Sequence, residues 1–166
     1  AGDIPNIQAD GYRTASTLGI PVTDGLTIRF HSMSLPTARL VWHCAYVDLF
    51  YSADKMPGGD DYREYALIRL DGENWEAENV ADNKLLVNIG DDFDGWDAWK
   101  EANKKGYDCT IRFRRQDNVI TTTTENQGIS IRNVTTILDS PEEVYASLTG
   151  DQCALTNIRL SVEGDS

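Results

Sequence analysis

Two histidines, three cysteines and a surplus of carboxylates are what this chain offers for bond-making chemistry. His31 and His43 fall in segments that read as strands, with no serine held in a sharp strand-to-helix turn near them. Histidines so placed are structural. Paired carboxylates are the more serious option, because glycoside hydrolysis needs two of them flanking the scissile bond. Glu73, Glu76 and Glu78 cluster around Trp75, and a solvated acidic edge explains them better than a catalytic pair. Gly90 to Glu101 can be laid on a twelve-residue calcium loop with Asp92, Asp94, Gly95 and Glu101 at the third, fifth, sixth and twelfth places. The first place is then Gly90, which has no side-chain oxygen, and a helix start accounts for the same acids. No cofactor is expected, and a structural calcium built from loop carbonyls stays open. Cys44, Cys109 and Cys153 match no zinc spacing, and an odd number leaves at least one unpaired, so all three read as packing residues.

The aromatic residues point to binding. Four Trp, seven Tyr and four Phe are present in a small chain. Flat rings stack on the C–H faces of pyranose sugars while neighbouring polar groups hold the hydroxyls. In the run Val41–Phe50, one face carries Val41, His43, Ala45, Val47 and Leu49. The other carries Trp42, Cys44, Tyr46, Asp48 and Phe50. An outward aromatic row must be covered by a ligand or by another layer of the protein, and the alternation fits either face inward. Trp75 follows the turn Asp71-Gly72 between acids and an amide, a better place for a sugar than for a core. Trp96 and Trp99 share a helical face with Phe93, so at most one of the two should stay exposed. Tyr62 is a lesser candidate, and Asn126 and Gln127 offer amide hydrogen bonds at a loop tip. The candidate carbohydrate-binding set is therefore Trp75, Trp42, Tyr46, Trp96, Trp99, Tyr62, Asn126 and Gln127, with no catalytic residue.

The elements that must carry these side chains are strands. Leu26, Ile28 and Phe30 alternate with polar residues, as do Ala66, Ile68 and Leu70, then Cys109, Ile111 and Phe113, then Ile158, Leu160 and Val162. Further strands are predicted at Val41–Phe50, Lys84–Ile89, Val119–Thr124, Gly128–Ile137 and Val144–Leu148. Turn signals such as Asp71-Gly72 and Gln116-Asp117-Asn118 separate them. One helix is predicted from the acids at 91 and 92 to Lys105, stopped by Gly106. Many short strands with polar turns give an all-β antiparallel sandwich with one short helix, in a single domain over residues 1–166.

Charge narrows the partners. With 15 basic and 27 acidic residues the net charge is -12, which excludes nucleic acid and an anionic membrane surface as partners. No apolar run approaches the ~20 residues needed to span a bilayer.

Taken in order, these motifs resemble the jelly-roll, laminin-G-like β-sandwich domains of secreted bacterial polysaccharide-degrading systems. The resemblance rests on Tyr12-Arg13-Thr14-Ala15-Ser16, Asp24 to Phe30, Tyr62 to Asp71 followed by Trp75, Tyr107 to Arg115, and Leu155 to Glu163. Glu73 to Glu78 also faintly resembles the acidic strand motif of jelly-roll β-glucanases, without its central aspartate. What the resemblance implies is a secreted, extracellular, non-catalytic carbohydrate-binding module. Such a module belongs to a larger multidomain enzyme or cellulosomal protein, and its partner is polysaccharide. A neutral plant cell-wall β-glucan is the expected ligand: a cellulosic, xyloglucan or glucomannan chain. A starch-type α-glucan is the alternative, and a small glycoside hydrolase or a protein-binding adhesion domain are the readings from other classes.

Overall fold

The computed structural model describes residues 2–163 except 77 and 78, and the side chains of 74–76 lie outside that description. Twelve strands follow in order: β1 (Ile7–Ala9), β2 (Ile20–Pro21), β3 (Leu26–Ser34), β4 (Ala45–Tyr51), β5 (Arg63–Arg69), β6 (Asn74–Glu76), β7 (Ala81–Ile89), β8 (Tyr107–Gln116), β9 (Val119–Asn126), β10 (Ile129–Ile137), β11 (Tyr145–Gly150) and β12 (Cys153–Val162). The helix α1 (Trp96–Lys105) separates β7 from β8. A seven-stranded sheet, β1-β12-β3-β8-β9-β10-β7, faces a five-stranded one, β2-β11-β4-β5-β6. The fold is the expected all-β antiparallel jelly-roll sandwich with one short helix.

The alternation explains the layers. In β3, Leu26, Ile28 and Phe30 are buried between the sheets while Arg29 and Met33 face water. In β8, Tyr107, Cys109, Ile111 and Phe113 point inward in the same way. All three cysteines are buried free thiols, as packing residues should be, and burial pushes the Cys153 thiol up to about 12.

β4 departs from that scheme. It begins at Ala45 rather than Val41, because residues 40–43 form a turn in which the His43 N–H donates to the Leu40 carbonyl. His43 therefore lies outside the strand that the sequence predicted for it. Both faces of β4 are internal. Ala45, Val47 and Leu49 enter the inter-sheet core, and Tyr46, Asp48 and Phe50 are covered by residues 11–19. That segment is stitched to β11: Thr17 N–H donates to Leu148 O at 3.0 Å, Ser147 Oγ to Thr17 O at 2.9 Å, and Thr149 Oγ1 to Ala15 O at 2.6 Å. Tyr12 leans on Tyr46 with ring centroids 6.0 Å apart.

The helix is shorter than predicted, starting at Trp96 because Gly95 holds a positive φ of 104°. It packs on β3, burying Trp99 and Asn103, and ends at Gly106, whose N–H donates to Ala102 O. Asp97 in the first turn and Lys104 and Lys105 in the last suit its dipole.

Candidate functional site

Polar and charged groups converge in a cleft between α1 and residues 34–43. His43 shapes one wall. Its Nδ1 accepts the backbone N–H groups of Arg39 at 2.9 Å and Leu40 at 3.1 Å, which folds the loop into a tight turn. Its carbonyl accepts Ser34 Oγ at 2.8 Å, and Nε2 lies 2.9 Å from the Gln152 side-chain amide. Burial, with the Arg39 charge, lowers its pKa against the pull of Asp151, so the neutral ring that accepts at Nδ1 is the favoured form. The helix supplies the other wall, with Lys100, Glu101, Asn103 and Lys104 lining a hollow of about 210 Å³. The two walls touch where Trp99 Nε1 donates to Val41 O at 3.4 Å.

Two of the predicted tryptophans flank this contact. Trp42, next to Val41 on the loop, is 41% exposed, and Trp96, one turn before Trp99 on the helix, is 39% exposed. Trp96 is held edge-on by Phe93 at 5.0 Å and Trp99 at 5.9 Å. Trp99 itself is buried at 2%, so one indole of the helical pair faces solvent, as their shared face required. Asn103, on the helix and lining the hollow, is also 2% exposed and has an Oδ1 with no hydrogen-bond partner. An orphaned buried amide lining a cleft is the kind of group that an ordered water or a ligand hydroxyl completes.

The other predicted residues are elsewhere. Tyr46 is fully buried under residues 11–19 and donates to Trp42 O at 2.6 Å, so it presents no face to a ligand. Asn126 is buried at the end of β9, its Nδ2 donating to Leu70 O at 3.3 Å, rather than free at a loop tip. Gln127 is exposed in the left-handed region at φ 50° and lines a separate small hollow with Trp99 and Phe93. Trp75 pairs in register with Leu67. Its side chain and that of Glu76, and the whole of Glu78, lie outside the described residues.

Among the acids, Glu73 is exposed and bridged to Arg69 at 3.0 Å. No group of three or more Asp, Glu, His or Cys able to hold a metal forms among the described residues, so Asp92, Asp94 and Glu101 do not converge as a calcium loop would. Sequence reasoning missed a different acid pair. Asp48 Oδ2 accepts from Tyr62 OH at 2.6 Å and Arg13 Nη2 at 3.0 Å, and Glu64 Oε2 contacts the same hydroxyl and guanidinium. Both carboxylates meet at one hydroxyl and Asp48 has no exposure, which leaves no room for a sugar between them. Tyr62 thus belongs to an internal clasp. Positions 13, 48, 62 and 64 share no periodicity, and the lone acid in the aromatic row of β4 was the sole signal.

No protein-family model matches the chain, and no curated protein matches it by sequence. Solved structures that are similar include the following two. The first is the carbohydrate-binding module CBM66 from Bacillus subtilis, 9% identical, with a TM-score of 0.38 over 97% of this chain and 92% of that one. The second is the exoplasmic/lumenal domain of VIP36 in a Ca2+/Man-bound form, 14% identical, with a TM-score of 0.36 over 98% of this chain and 89% of that one. Both likenesses concern the course of the chain, and the functional reading rests on the cleft.

Proposed function

We propose that residues 1–166 act as one non-catalytic carbohydrate-binding unit. It holds a plant β-glucan chain across Trp42 and Trp96 and so keeps a secreted polysaccharide-degrading enzyme or scaffold at its substrate. The observation that carries this is the pair of half-exposed indoles, one on the loop and one on the helix whose other residues line the polar hollow. Water gains little by covering an indole face, whereas a pyranose face fits it and brings hydroxyls to Asn103. Shallow sites of this kind give dissociation constants of ~10–100 µM.

Native affinity electrophoresis against cellulosic, xyloglucan, glucomannan, xylan and amylopectin gels tests the reading. Retardation is expected in the β-glucan gels, without release of reducing sugar. Each of Trp42→Ala and Trp96→Ala should weaken it about tenfold, since covering ~60 Å² of indole contributes about 1.5 kcal/mol. Retardation by amylopectin alone would replace the ligand with an α-glucan. No retardation in any gel, with or without calcium, would overturn the carbohydrate reading in favour of a protein partner.

A further inference from the structure

The charge of the cleft is opposite to that of the chain. Arg39, Lys100 and Lys104 line it against one acid, Glu101, in a protein with 15 basic and 27 acidic residues. Lys100 reaches the fully exposed Asp97 at 3.3 Å. Among the described residues neither the Arg39 guanidinium nor the Lys104 ammonium has an acidic partner. Lys104 and Lys105 both suit the helix C-terminus, but Lys104 alone of the two lines the hollow.

Beside these cations lies Asn103, buried, with its Oδ1 unsatisfied. A neutral sugar would satisfy Asn103 and leave the cations to solvent. Sulfate would meet the cations and offer no proton to Asn103 Oδ1. A sugar bearing both hydroxyls and a carboxylate meets both. The hollow, about 210 Å³, is smaller than the ~300–1,000 Å³ that drug-sized ligands occupy, so it suits one sugar unit with the rest of the chain outside it.

We infer that the cleft between α1 and residues 34–43 takes a uronate, a single acidic sugar carried on the polysaccharide that Trp42 and Trp96 hold. The carboxylate sits between Arg39 and Lys104 and a ring hydroxyl donates to Asn103 Oδ1. This rests on the carbohydrate reading and makes it specific. A chain at -12 repels polyanions as a whole, so a sparse acidic substituent on a neutral backbone suits it better than a polyuronate.

Calorimetry with a cello-oligosaccharide carrying one glucuronate unit, and with the same oligosaccharide carboxyl-reduced to the alcohol, tests it. The acid should bind about tenfold more tightly than its reduced form, and the difference should shrink as salt rises to ~0.3 M. Arg39→Gln with Lys104→Gln should abolish the difference, and Asn103→Ala should weaken both ligands. Equal affinity for acid and alcohol, a preference that survives the double substitution, or equal competition by sodium sulfate would each overturn the uronate site while the β-glucan gels still decide the carbohydrate reading. Absence of binding in the gels and in the calorimeter would overturn both.

Discussion

Asp48 is the residue on which the interior is most finely balanced. Burial, with the Glu64 charge beside it, holds its carboxyl well above the ordinary carboxylate range, against the opposing pull of the Tyr62 hydroxyl and Arg13. The folded chain therefore keeps a proton there that the unfolded chain releases above about pH 4. The stability this proton contributes is complete below pH 4 and is lost as pH rises through the folded-state value. Asp48→Asn places an amide where the protonated, unpartnered Oδ1 stands and removes the titration. Expected is a substituted protein within about 0.5 kcal/mol of the parent at pH 4, with an advantage that grows to at least about 1 kcal/mol by pH 8. Urea melts across that range check it, and a difference that stays flat or reverses with pH would remove the argument. The clasp itself could not be read from the sequence, since its four members come from distant positions. Helical spacing, by contrast, was enough to say that one of Trp96 and Trp99 would be covered.

At the scale of elements, the long strands were legible because alternation over six or more residues has one explanation, and β3, β8, β9 and β10 fall within a few residues of their predicted spans. β1, β2 and β6 have two or three residues each, too few to alternate, and they exist through their partners alone. The Val41–Phe50 run failed at its start, where His43 accepts two backbone N–H groups and turns the chain before the strand begins. The helix stop was legible, and its reason is steric as well as conformational. Gly106 has φ 95°, and a Cβ there would stand 2.5 Å from His31 Nε2. Gly58 has a similar φ of 84° with nothing within 4 Å. Gly106→Ala, which must also swing the His31 ring away from Asp108, should therefore cost about 2 kcal/mol and Gly58→Ala about 1 kcal/mol, seen as a fall in Tm of about 4–8 °C against 2–4 °C. Equal losses would mean that the contact with His31 contributes nothing.

For the whole molecule, the decisive feature is a third layer that composition does not announce. Residues 11–19 look like a polar leader, yet they lie over the five-stranded sheet and turn what alternation offered as a binding face into an interior. The same stretch of chain begins by closing the other sheet. Ile4 bridges to Ile158, β1 pairs with β12, and Asp3 Oδ2 accepts the Leu160 N–H at 2.9 Å. Residues 3–19 thus join both sheets through contacts more than 100 positions distant in sequence, which no local pattern can reveal. Their removal uncovers Tyr46 and Phe50, both without exposure, and opens the clasp at Asp48 by taking away Arg13. Two large rings at ~1.5–3 kcal/mol each, together with the hydrogen bonds that tie the segment to β11 and β12, approach the ~5–15 kcal/mol that hold a domain of this size folded. A chain beginning at Ile20 should therefore lose its cooperative urea transition or shift it by at least half, and bind a hydrophobic dye at neutral pH. If that chain melts with the midpoint and slope of the parent, the segment is an ornament on the sheet, and the face beneath it becomes available as the aromatic platform that Trp42, Tyr46 and Phe50 first suggested.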